Sequence, residues 1–377
     1  MRVFLHAIYG QILLNLYIFW RGYQALPAKK QYRVPFILFF ILELGLYFTG
    51  FTFYKELPDS MLLPIIAICN TWYIAAAYIA MGLIVLDFLR LTNRIRPWYP
   101  KWITSHWTNI KLFLWLFFIA GISILMIHGY HNVKNPIVKH VDIDIPKNIN
   151  GRDHLTIVMM SDMHFGETIG KDYAEKYTRL CNKQNPDLIV IPGDVIDYES
   201  RFAEQMKIEE NLRQLKAPLG VYITLGNHEY RANKHAKLRW LEKTGCTLLI
   251  DSVAMPDSLF YLIGRDDAIN RKRSSLYSLM KDLDSEKPAI IIDHRPNYMN
   301  EIVMNNADLG LHGHTHNGQF WPNTILQKIR YECSYGYYRK GNSQFYVSSG
   351  LGCAGPPLRI GTRSELVVLH IRFKSSS

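Results

Sequence analysis

Residues Asp187–Asp197 read DLIVIPGDVID. Four consecutive aliphatic residues, Leu188–Ile191, with no polar alternation, fit a strand buried on both faces. The strand runs straight into Gly193-Asp194, with Asp197 one turn further on. A short buried strand thus delivers two carboxylates at its C-terminal end. The pattern recurs. His154–Met160 runs into Ser161-Asp162-Met163-His164, and Gly220–Thr224 is followed by Gly226-Asn227-His228-Glu229. Ala289–Ile292 leads into Asp293-His294-Arg295-Pro296, and Leu309–Leu311 into Gly313-His314-Thr315-His316. Ligand sites in open α/β sheets gather beyond the carboxyl ends of the strands. These strand ends, rich in Asp, Asn and His, are therefore expected to converge on one place.

Further apolar runs lie at Leu259–Ile263, Gln344–Val347 and Glu365–Ile371. Amphipathic helical stretches lie near Asp172–Asn182, Ala203–Leu215, Lys234–Lys243 and Tyr298–Asn305. Strands alternating with helices, then strand-rich sequence, predict a layered α/β sandwich over residues 151–377. Residues 131–150 read as a polar connector.

The first 130 residues differ in kind. Val3–Trp20, Pro35–Tyr54, Met61–Leu89 and Leu112–Ile127 are apolar segments close to the ~20 residues a membrane helix needs. They predict a bundle of about four spans; His6, Gln11 and Asn15 make the first the most polar. Up to His131 there are 11 Lys+Arg against 4 Asp+Glu, and 32 against 28 thereafter. Most of the excess positive charge therefore sits between apolar segments, where it orients helices, and no nucleic-acid partner is expected. Arg21, Lys29, Lys30 and Arg33 follow the first segment, and Arg90, Arg94, Arg96, Lys101 and Lys111 follow the third. The positive-inside rule puts both loops in the cytoplasm and the C-terminal half on the non-cytoplasmic side. Glu43, near the middle of the second segment, is either a functional carboxylate or a hydrogen-bonded helix contact with Asn15 or Asn70 as partner. The five cysteines contain no CxxC and read as buried free thiols, with a single Cys333–Cys353 bridge left open.

Taken singly, each strand-end motif is weak: Asp-x-His is commonly a turn, and His-x-His a buried pair. Carboxylates and imidazoles packed together without thiolate suit Mn²⁺, Fe or Zn²⁺. The ordered set Asp-x-His, Gly-Asp-x-x-Asp, Gly-Asn-His-Glu, His, Gly-His-x-His resembles the calcineurin-like metallophosphoesterase superfamily over about residues 154–317. The resemblance implies a four-layer α-β-β-α sandwich and two divalent metal ions. It gives Asp162, His164 and His316 to one metal, and Asn227, His294 and His314 to the other. Asp194 would bridge the two, while His228 would be the acid–base residue, oriented by Asp197. His312 falls outside the pattern and is expected to support the ligands rather than bind. Arg295 and Arg359 are either phosphate contacts or ion pairs.

Two cations ~3.5–4 Å apart would activate water and neutralise charge developing in a phosphoryl displacement. The expected activity is hydrolysis of phosphoester or pyrophosphate bonds at the membrane surface, on a phosphorylated, lipid-linked substrate. A phosphodiesterase for soluble nucleotides and an inactive metal-binding scaffold are the alternatives. Completeness speaks against the scaffold, since His228 and Asp197 would contribute nothing to metal binding.

Overall fold

The computed structural model describes residues 2–149 and 151–374, with side chains from Tyr9 onward. The chain divides into two compact units, residues 1–128 and 129–377.

The first unit is helical. Its elements are α1 (Arg2–Ala25), α2 (Lys30–Thr52), α3 (Asp59–Ile95), α4 (Lys101–Ser105) and most of α5 (Trp107–Lys134). Among the described residues, α2, α3 and α5 are long and apolar enough to cross a membrane. The first of the four expected spans falls on α1, part of whose side chains lie outside the described residues. Ile18, Phe40, Ala76, Ile79, Leu83 and Trp115 form the bundle's core. Glu43 is a hydrogen-bonded helix contact, but its donor is Gln11, whose Nε2 lies 2.6 Å from Glu43 Oε1. Asn15 instead accepts from Trp72 Nε1 at 2.9 Å.

The second unit begins inside the last turns of α5. It continues with β1 (Ile137–Ile145), β2 (His154–Met159), α6 (Lys171–Asn182), β3 (Leu188–Pro192), α7 (Ser200–Gln205) and α8 (Ile208–Leu212). Next come β4 (Val221–Thr224), α9 (Lys234–Glu242), β5 (Thr247–Leu248), β6 (Ser252–Ala254), β7 (Tyr261–Gly264) and α10 (Leu276–Met280). The last elements are β8 (Ala289–Ile292), α11 (Met299–Met304), β9 (Leu309–His312), α12 (Asn323–Arg330), β10 (Gly336–Lys340), β11 (Ser343–Val347) and β12 (Glu365–Phe373).

Two mixed six-stranded sheets result, ordered β1-β12-β2-β3-β4-β5 and β10-β11-β9-β8-β7-β6. Side chains alternate across each strand. Leu155, Ile157 and Met159 of β2 meet Ile290 and Ile292 of β8 in one core between the sheets. Val158 of β2 and Ile189 of β3 face the other way, against Tyr177, Leu212 and Trp240 of α6, α8 and α9. Ala289 and Ile291 of β8 pack against Met299 and Ile302 of α11. This is the expected four-layer sandwich.

Two readings need correction. The connector at 131–150 contains β1, which pairs in parallel with β12 from Ile137↔Glu365 to Ile145↔Phe373. Its polar alternation belongs to a sheet edge, with only the Ile143 and Ile145 side chains fully buried. The helix expected over Ala203–Leu215 is broken into α7 and α8 at Lys207, which adopts φ 52°. All five cysteines are free, so Cys333 and Cys353 are not bridged.

Candidate metal centre

The loops after β2, β3, β4, β8 and β9 meet at the C-terminal ends of their strands. Asp162, His164 and His316 bring one donor atom each to within 4.8 Å of one another, and so do Asp194, His294 and His314. Each triplet joins residues expected to share one metal. Asp194 reaches toward both: its Oδ2 lies 3.1 Å from His294 Nε2 and 3.8 Å from His164 Nε2. His316 Nε2 stands 3.0 Å from His164 Nε2 and 3.4 Å from Asp162 Oδ1. Asn227 is buried and its Oδ1 has no hydrogen-bond partner.

A third triplet, His164, Asp194 and His228, meets the same distance test. His228 is engaged elsewhere, however. Its Nδ1 lies 2.8 Å from Asp197 Oδ1, whereas its Nε2 is 4.0 Å from Asp194 Oδ2. Burial disfavours the His228 imidazolium, but Asp194 and Asp197 together push its pKa above the ordinary value. Burial likewise opposes ionisation of Asp197. Hydrogen bonds from His164 and His228 outweigh it and hold that carboxyl well below the usual range.

The residues fit a cation pair. His294 Nδ1 lies 2.7 Å from the Pro192 carbonyl, which makes it the donor and turns the Nε2 lone pair toward Asp194. Two lone-pair atoms at 3.1 Å require a proton or a cation between them. Burial works against a proton there, yet the carboxylates drive the His294 pKa up to about 10. The cluster's donors are carboxylate, amide and imidazole, a set suited to divalent Mn, Fe or Zn.

The backbone is shaped for this arrangement. Asp162, His164, Asp194, His314 and His316 all have positive φ, between 50° and 72°. Non-glycine residues take this conformation at a cost, and such positions cluster at functional sites. Close approach also demands glycine. A Cβ on Gly313 would lie 1.9 Å from Ser161 Oγ, and one on Gly226 2.2 Å from Asp194 Oδ1.

Glu229 ends the Gly-Asn-His-Glu motif, and the structure gives it a role. Its buried carboxylate accepts the backbone N–H groups of Asp194, Val195, Ile196 and Gly226 at 2.8–3.2 Å. It therefore clamps the β3 loop to the β4 loop. Lys237, fully buried on α9, donates to the carbonyls of His228 and Asp197. Its signal was a lysine on the apolar face of a helix. Arg231 is exposed, with Nη1 3.5 Å from His228 Nδ1.

Three other residues are resolved. His312 Nδ1 lies 2.7 Å from the Asp293 carbonyl and joins neither half-site. Arg295 is an ion pair, its Nε and Nη2 donating to the two Asp267 oxygens at 2.8 and 2.9 Å. Arg359 is neither a phosphate contact nor an ion pair. It is fully buried and donates to the carbonyls of His316, Ser349, Gly350 and Gly352.

Residues 155–318 match the family model for calcineurin-like phosphoesterases. The chain carries a calcineurin-like phosphoesterase domain. A Campylobacter jejuni protein named as an uncharacterized metallophosphoesterase is 29% identical, over 96% of this chain and 96% of its own. A Danio rerio transmembrane protein with metallophosphoesterase domain is 27% identical over 98% of this chain and 89% of its own. Among solved structures, a Danio rerio dimetal phosphatase covers 59% of this chain and 100% of its own, at 12% identity and a TM-score of 0.37. The phosphoesterase match ends just past His316, so β10–β12 and the helices of the first unit lie outside it. The two full-length relatives extend across both.

Proposed function

We propose that this membrane protein hydrolyses a phosphoester or pyrophosphate bond in a lipid-linked substrate. The hydrolase reading is carried by the meeting of both half-sites with a His228–Asp197 pair that belongs to neither expected ligand set. Bound there, two divalent cations would supply Lewis acidity toward phosphate oxygens. Asp162, His164 and His316 would hold one, Asn227, His294 and His314 the other, and Asp194 both. Asp197 fixes the His228 ring through Nδ1, leaving Nε2 to protonate the departing oxygen. The Arg231 guanidinium beside that ring offers donors to a phosphate.

Detergent-purified protein is expected to turn over bis-(p-nitrophenyl) phosphate with Mn²⁺. His228→Ala should lower the rate by roughly 10²–10⁴-fold while bound metal stays constant. Bound metal without turnover on any phosphoester would favour a scaffold instead.

The lipid-linked substrate is supported by α12. This helix follows the His316 loop and exposes Ile325, Leu326 and Ile329, the last 77% accessible. It buries no residue of its own and carries Lys328 and Arg330 in its last turn. The next residue, Tyr331, stacks edge-on to His314 with ring centroids 6.2 Å apart. An apolar face flanked by cations so near a ligand suits an acyl or isoprenyl chain bearing a phosphate. Replacing Ile325, Leu326 and Ile329 together by Ser should cut turnover of a lipid phosphate about tenfold or more. Turnover of bis-(p-nitrophenyl) phosphate should hold. Equal effects on both substrates would favour soluble nucleotides.

The loop charges support a non-cytoplasmic position for the phosphoesterase unit. A reporter fused after Ser377 should accordingly read as non-cytoplasmic. A cytoplasmic signal would reverse the assignment.

A further inference from the structure

The helical unit contains a cleft unrelated to the metal centre. It lies where the end of α1, the later part of α3 and the start of α5 come together. It is a small cleft, open to its surroundings rather than an enclosed cavity, and is lined by Arg21, Arg90, Lys111, Leu83, Leu114 and Trp115. Three cations thus share one small space above an apolar floor.

Their partners do not balance them. Asp87 is shared: Oδ2 accepts from Arg21 Nη2 at 2.5 Å and from Tyr17 Oη at 2.8 Å, while Oδ1 lies 3.3 Å from Arg90 Nη1. Lys111 Nζ donates to the Gln24 backbone carbonyl at 3.3 Å, a neutral acceptor. The buried Nε of Arg21 has no hydrogen-bond partner. Asp87 is therefore shared by two guanidiniums, while Lys111 meets a neutral oxygen. Arg21 and Arg90 are both largely withdrawn from the surface, their side chains 21% and 29% exposed. Asp87 bridges that pair, and Lys111 adds a third cation, so the cleft keeps net positive charge that an anion would offset.

The floor narrows the choice of anion. Leu83 and Trp115 belong to the buried core of the bundle. They and Leu114 lie on apolar helices of membrane-spanning length. A basic cleft at the end of apolar helices recognises a phosphate that carries hydrocarbon, since one end of the ligand meets cations and the other meets apolar side chains. We propose that this cleft binds the phosphate of an anionic phospholipid, joining α1, α3 and α5 at their charged ends. The assignment is independent of the hydrolase reading, because no residue of the metal centre takes part.

The test uses the full-length protein in a neutral detergent, with thermal unfolding followed during titration by three probes. These are phosphatidylglycerol, phosphatidylcholine and inorganic phosphate. Phosphatidylglycerol should raise the midpoint by about 4 °C or more, and the other two should leave it nearly unchanged. In Lys111→Glu, and separately in Arg90→Gln, phosphatidylglycerol should bind about tenfold more weakly. Both variants should keep wild-type turnover of bis-(p-nitrophenyl) phosphate, which shows that they fold. An undiminished phosphatidylglycerol shift in both variants, or an equal shift with phosphatidylcholine, would overturn the site. Equal protection by inorganic phosphate would overturn its lipid character.

Discussion

Asp194→Asn is expected to abolish turnover, by roughly 10³-fold or more, and to lower bound metal below one equivalent per chain. The substitution changes shape very little. The Asp194 Oδ1 that accepts the His228 backbone N–H at 2.7 Å can be kept as the amide oxygen. What disappears is the negative oxygen that faces His294 Nε2 at 3.1 Å and His164 Nε2 at 3.8 Å. An NH₂ group there presents hydrogens to a cation, and it can donate to the His294 Nε2 lone pair that would otherwise bind metal. Circular dichroism should match the wild type, which separates this outcome from misfolding. Metal analysis and bis-(p-nitrophenyl) phosphate turnover on the same sample provide the check. Retention of two metals with full turnover would remove Asp194 from the centre.

The second large effect is on stability. Arg359→Met should destabilise the phosphoesterase unit by about 3–5 kcal/mol. The buried guanidinium bonds four carbonyl oxygens, and no carboxylate ion pair accompanies it. Methionine fills part of the volume but leaves those carbonyls without donors. The Arg359 backbone adds a further tie, donating N–H to the Gly129 carbonyl at 3.0 Å and accepting from Asn132 Nδ2 at 3.1 Å. Resistance of the full-length chain to protease over a denaturant series would measure the loss. A midpoint within error of wild type would show that the carbonyls find other donors. Arg359→Lys should recover only part, since a single ammonium cannot reproduce the guanidinium fork.

The centre was legible in the sequence because each of its residues stands next to a buried strand. Short apolar runs located β2, β3, β4, β8 and β9, and the ligands followed as strand-end residues. The missed elements carried weaker signals. β5 and β6 have two and three residues, too short for any pattern. β1 alternates with exposed charges, and the same polarity marks a linker. α12 has only eight residues, so its apolar face of Ile325, Leu326 and Ile329 gave a pattern of barely two turns. Glu229 and Lys237 act through backbone amides and carbonyls of distant segments, which only the folded chain brings near. Arg359 reads from the sequence as a phosphate contact or an ion pair for the same reason: residue type says nothing of whether a guanidinium faces a cleft, a carboxylate or a cage of carbonyls.

The place of β12 has a consequence for how the chain is made. This strand, ending at Phe373, lies between β1 and β2, whose residues are synthesised more than two hundred positions earlier. Until it emerges from the ribosome, β1 has no neighbour and β2 keeps an open edge. Non-local pairing of this kind is slow and must await the distant segment. On the proposed non-cytoplasmic side, the second unit would have to cross while still extended, able to thread through a translocation channel, after the helices of the first unit enter the bilayer. Folding would close only once the tail has been delivered.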